Sequence, residues 1–192
     1  MMIDFTPLRN KQTSLVRMAR QLTPLDFKSA TLGLFDHLLD QIADCVDEDV
    51  TFLPADPQAN DPYAADPSET HLPWTLGHVI VHLNASLEES AFLAAELARG
   101  VTNHGRSRYE VPWVSISTVE QCRRQVEQSR RMCLASLDMW PDPPNYENTY
   151  IPWKGVGKID ARGRYLLGLK HADDHLGQIA DIIAQAKAAR GG

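Results

Sequence analysis

Four of the chain's seven histidines fall in two pairs spaced i,i+4: His78 with His82, and His171 with His175. Random placement would give roughly a quarter of one such pair, so the spacing calls for an explanation. On a helix, residues four apart share a face with Cβ atoms about 5–6 Å apart, and two imidazoles so placed can reach one ion. Their position relative to the apolar stripes says more. His82 precedes Leu83, His171 precedes Ala172 and His175 precedes Leu176, and one residue is a rotation of about 100°. All three therefore stand at the edge of a stripe, where a polar group can line a bundle cavity and still meet solvent. Three histidines from two helices, with a fourth position left for water, form a divalent-metal centre of the catalytic type. Helical bundles build metal sites from facing helices in this way.

The other histidines are weighed against this trio. His78, one turn before His82, is open to three readings: a fourth ligand, an outer contact or a contact at the helix start. His71 and His104 lie in loops and read as solvent residues, and His37 as packing or surface. Asp173, Asp174 and Gln178 are candidate orienters, because a ligating imidazole donates its second N–H to an oxygen. The carboxylates could equally be solvated charges. Tyr150, Trp153 and Trp113 are loop aromatics that either wall a pocket or anchor loops. His171-Ala172-Asp173-Asp174-His175 has the HxxxH spacing of zinc proteases, but Ala172 stands where that mechanism needs a glutamate base, so a metalloprotease is excluded. No GxSxG, P-loop or GxGxxG is present, nor the β-α alternation that hosts them.

Four long periodic segments must carry these residues. The first opens at Thr23-Pro24-Leu25-Asp26, with Thr23 as N-cap, Pro24 at N1 and Asp26 near the positive end of the dipole, and runs to about Val46. A shorter amphipathic piece, about Asn10 to Leu22, precedes it. The second begins at Thr75 and ends before Gly100. The third opens on a capping box of Ser117 and Glu120 and reaches about Met139. The fourth runs from near Asp160 to about Ala188. The connections are long, which suits functional loops and crossovers; the last, about Asn148 to Gly157, has room for a short β-like turn. The expectation is an all-α four-helix bundle within one domain, residues 1–192, with its core over about 23–188.

The bulk numbers bound the rest. The chain has 192 residues, 43% hydrophobic and 23% charged, with a net charge of -6. An acidic surface argues against a nucleic-acid binder. Arg123, Arg124, Arg130 and Arg131 read as a solvated helix face offset by Glu120 and Glu127. Cys45, Cys122 and Cys133 form no ligand or disulfide spacing and read as buried thiols. The start of the chain lacks the basic head and apolar run of a signal peptide, and no segment is apolar enough to span a membrane. A reducing cytoplasm is expected.

Trp74-Thr75-Leu76-Gly77-His78-Val79-Ile80-Val81-His82-Leu83 resembles the second-helix motif of the DinB/YfiT-like family. His171-Ala172-Asp173-Asp174-His175-Leu176-Gly177-Gln178-Ile179 resembles its C-terminal HxxxHxGQI motif. The resemblance spans about Thr23 to Ala188. It implies an up-down-down-up four-helix bundle with a divalent metal, zinc or nickel, on His82, His171 and His175, and often a homodimer. Members include thiol-dependent S-transferases and isomerases that use low-molecular-weight thiols, and metal-dependent hydrolases. Two positions depart from the common pattern: Leu87 stands where an acidic residue is frequent, followed by Glu88 and Glu89, and Leu176 replaces a basic residue before Gly177. They leave the metal site intact and bear on the substrate.

The functional expectation is a metal-dependent S-transferase or hydrolase acting on a small molecule, with a low-molecular-weight thiol as cosubstrate and no nucleic-acid or membrane partner. The metal would make a thiol or water acidic near neutral pH. The rival is a non-catalytic, stress-related helical protein with a structural metal or none. A closed shell including His78 would favour the rival.

Overall fold

The computed structural model describes residues 2–62, 64, 66–105 and 110–191. It is all-α. Two short helices, α1 (Thr6–Arg9) and α2 (Leu15–Ala19), precede the long α3 (Pro24–Gln41), and the short α4 (Asp47–Thr51) follows it. The other long helices are α5 (Leu76–Ala98), α6 (Val119–Asp138) and α7 (Ala161–Gly191). Of the expected amphipathic piece, about Asn10 to Leu22, only Leu15–Ala19 is helical, and α1 lies before it.

Local chemistry sets most boundaries. The Thr23 hydroxyl accepts from the Asp26 N–H, and the Asp26 carboxylate accepts in return from the Thr23 N–H at 2.8 Å. Thr75 caps α5 through the His78 N–H, and Gly100, at φ 88°, follows its end. The capping box of α6 sits one residue later than expected. Thr118 accepts from the Gln121 N–H at 3.2 Å, and Gln121 Oε1 accepts from the Thr118 N–H at 3.0 Å. Gln121 also donates to the Ser115 carbonyl at 3.1 Å, a bond that a carboxylate at this position could not make. α3 stops at Gln41 rather than near Val46: Ile42 and Cys45 reach the core from a turn, and the chain then enters α4. In the last connection, Tyr150 and Ile159 exchange backbone bonds of 3.0 and 2.9 Å, an isolated antiparallel bridge.

Side-chain pairs show how the long helices pass one another. Arg164 reaches Ser90 and His171 meets His82, so α5 and α7 are antiparallel. α6 runs with α5, since Ile116 lies over Gly77 and the Arg99 guanidinium reaches the Met139 carbonyl. α3 opposes α6 through Lys28–Asp138 and Asp36–Arg130, and runs with α7 through Thr31–Tyr165 and Gln41–Leu176. One apolar cluster fills the space between them, including Phe27, Phe35, Leu38, Leu83, Leu166 and Ile179. Two of the four α6 arginines do more than meet water. Arg123 donates to the Ala43 carbonyl and Arg130 pairs with Asp36, tying α6 to α3; Arg124 and Arg131 are exposed. All three cysteines are buried and free. Burial pushes the Cys122 thiol up to about 12 and raises Cys133 further, so both stay protonated. No helix among the described residues is long and apolar enough to cross a membrane.

Candidate metal centre

α5 presents His82 and α7 presents His171 and His175, each half-buried at the α5–α7 seam. Each ring offers a nitrogen within 4.8 Å of the other two. His82 Nε2 and His171 Nε2 stand 3.0 Å apart, and the three ring centroids are 4.7 to 5.2 Å from one another. Nitrogens at 2.0–2.1 Å from one tetrahedral ion lie about 3.3 Å apart, so the trio needs little adjustment to hold one. Among the described residues no fourth His, Cys, Asp or Glu joins the group. The donor set can hold a divalent metal ion.

The surroundings favour the ligating form of these rings. Burial, reinforced by the neighbouring imidazoles, pushes His171 down to about 4. Burial also lowers His175, against the opposing hydrogen bond to Gln178. Both are therefore neutral at pH 7, as coordination requires. His175 Nδ1–H donates to Gln178 Oε1 at 2.8 Å, which fixes the tautomer and leaves Nε2 for an ion. Glu110 Oε1 lies 3.8 Å from His82 Nδ1 on the opposite side of that ring.

Asp173 and Asp174 do not orient the imidazoles. The Arg9 guanidinium binds Asp173 and reaches Asp174 at 2.9 Å, and Lys170 also binds Asp174. These contacts fasten α1 to the turn of α7 between the two histidines. His78 stays outside the cluster and stacks on Trp74 and Trp113. His37 is exposed; exposed His71 contacts the Ala59 carbonyl and exposed His104 contacts Glu96.

Clefts reach the trio from several sides. One of about 280 Å³ opens on His171 and is lined by Trp153, Arg164 and Lys170. Another of about 410 Å³ opens on His82, between Trp74, His78, Glu110 and Trp113. Trp113 and Trp153 are therefore walls, whereas Tyr150 carries the backbone bridge to Ile159. Trp74 contacts three histidine rings, with centroids 4.4 Å from His78, 4.6 Å from His82 and 5.9 Å from His175. Its sequence position, four and eight residues before His78 and His82, held the signal for that role. Glu110 and Arg9 gave none, because each reaches the site from a non-periodic segment.

Two outcomes follow from this environment. Gln178→Leu removes the acceptor that orients His175, and metal affinity should fall about 10–100-fold while the helical signal in circular dichroism is unchanged. Unaltered affinity would remove Gln178 from the site. For pH, His78 and His171 lie near 4 in the folded chain, against about 6.5 unfolded. The unfolded chain binds more protons in that window, so this contribution is complete above about 6.5 and lost as pH falls toward 4. Melting curves of metal-free protein should move to lower temperature between pH 7 and pH 4.5. A smaller shift in His78→Phe would assign part of the slope to His78.

Four long helices enclosing three convergent imidazoles from two of them define a helical-bundle protein with a trihistidine centre. The sequence match agrees: residues 29–179 fit the DinB superfamily, and the chain belongs to that superfamily. No curated protein and no solved structure gives a match.

Proposed function

We propose that the protein is a divalent-metal-dependent enzyme, with zinc or nickel on His82, His171 and His175, acting on a small molecule as a thiol-dependent S-transferase or a hydrolase. The observation that carries the reading is a three-nitrogen donor set without a fourth protein donor among the described residues, open to clefts with indole walls. A bound divalent ion supplies a Lewis acid that makes a thiol or water more acidic near pH 7. The chain supplies the rest. Burial keeps His171 and His175 neutral, Gln178 holds the His175 ring, Trp74 and Trp113 wall the cleft on His82, and Trp153 walls the cleft on His171. Cys45, Cys122 and Cys133 are buried and burial raises each thiol, which makes them poor nucleophiles, so a reacting thiol comes from outside the chain.

The test is X-ray absorption on metal-loaded protein with and without a small thiol. The expected result is three histidine nitrogens plus one light atom, the latter replaced by sulfur when thiol is added. A fourth protein ligand unmoved by thiol would make the metal structural and defeat the enzyme reading.

A further inference from the structure

His78 is only 8% exposed and lies outside the trio, yet it lines the cleft that opens on His82. Trp74 stacks on its ring at 4.4 Å and 22°, and Trp113 at 4.9 Å and 3°. Two indoles stacked so closely on one small ring occupy its two faces and leave only its edge for polar contact. Among the described residues neither ring nitrogen has a hydrogen-bond partner; Nδ1 is fully buried and Nε2 is not, so Nε2 is the nitrogen that reaches the cleft. A neutral imidazole carries one N–H. A proton on Nδ1 would bury an N–H donor without an acceptor, whereas a proton on Nε2 faces the cleft, where water or a ligand can accept it. The proton therefore belongs on Nε2. Burial holds the ring neutral, pushing its pKa down to about 4.

The geometry points to His78 as a substrate-binding residue whose Nε2–H donates to a carbonyl oxygen of an uncharged small molecule, held against Trp113 with its reacting end at the histidine trio. This rests on the enzyme reading above and narrows its substrate class. Glu69 places a carboxylate in the lining of the same cleft, which suits an amide or ester better than an acid. The indole walls suit a flat or apolar group beside the carbonyl.

Two measurements test this. In metal-free protein, two-bond ¹⁵N–¹H correlations should report the Nε2–H tautomer of His78 at pH 7, unchanged by one equivalent of Zn²⁺. An Nδ1–H tautomer, or a His78 nitrogen shifted as a ligand, would overturn the inference whatever the thiols do. The second measurement titrates Co²⁺-loaded protein with three thiols, followed by cobalt absorption: N-acetylcysteamine with an amide carbonyl, 3-mercaptopropionate with a carboxylate, and pentanethiol with no oxygen. N-acetylcysteamine should bind best. His78→Phe, which keeps a flat ring without a donor, should weaken it about tenfold. His78→Gln, which keeps an N–H, should retain most of the affinity, and pentanethiol should not distinguish the three proteins. Equal binding of N-acetylcysteamine by all three, or preference for the carboxylate, overturns the inference and leaves the metal reading intact. If metal is taken up but no thiol alters the spectrum, the thiol reading fails and the tautomer measurement decides the role of His78.

Discussion

Protein carrying His171→Ala should lose stoichiometric metal uptake, while His104→Ala should take up as much as the unaltered chain. His171 is the centre of the trio, with its Nε2 3.0 Å from His82 Nε2 and its ring 4.7 Å from that of His175. Its removal leaves two nitrogens and a cavity on one side of the ion. Changing an outer hydrogen-bond partner of a metal ligand costs about 10–100-fold in affinity, and losing a ligand should exceed the upper end of that range. The fold should survive, because the neighbouring Leu169 and Ala172, not His171, face the core. His104 is the matched control: it is exposed, lies away from the cluster and binds Glu96. Metal analysis after exhaustive dialysis, with circular dichroism to check folding, reads both variants. Equal metal content in the two would sink the ligand assignment.

The centre was legible in the sequence because it sits on long periodic helices. α5 and α7 carry enough apolar residues to define a stripe, and the stripe fixes which way His82, His171 and His175 point. Gln178 followed from the same logic, one turn along from His175. The carboxylates of Asp173 and Asp174 stayed open between orienters and solvated charges because their partner, Arg9, lies 164 and 165 residues away in a four-residue helix with no periodicity to reveal it. Glu110 is in a loop, and loop placement depends on tertiary contacts rather than local pattern. The slipped capping box of α6 has a related cause. Ser117 with Glu120 and Thr118 with Gln121 both satisfy the spacing rule, and the choice falls to the carbonyl of Ser115, which only an amide can donate to. Likewise the end of α3 depends on how Ile42 and Cys45 meet the core from a turn, not on their spacing.

Gly168→Ala should lower the melting temperature by about 2–12 °C, whereas Gly177→Ala on the same helix should raise it slightly. A Cβ at Gly168 would stand 2.4 Å from Ser90 Cβ and 2.7 Å from Ser90 Oγ. The first contact involves an atom fixed to the α5 backbone, so no rotamer relieves it, and α5 and α7 must separate. Overpacking of this kind costs about 1–3 kcal/mol, and in a chain of this size each kcal/mol moves the midpoint by about 2–4 °C. At Gly177 a Cβ meets nothing within 4 Å, and alanine should gain about 0.5–1 kcal/mol from lower chain entropy in the unfolded state and better helix propensity. The separation at Gly168 also reaches the centre. Ser90 is two turns from His82 on α5, and Gly168 one turn from His171 on α7, so the same movement draws His82 away from the α7 histidines. Metal affinity should therefore fall in Gly168→Ala and hold in Gly177→Ala. Adding Ser90→Gly removes both clashing atoms and should recover part of the lost stability, giving a favourable coupling between the two sites. Additive losses in the double variant, or a Gly168→Ala protein as stable as the original, would show that the α5–α7 crossing is not as tight as 2.4 Å implies.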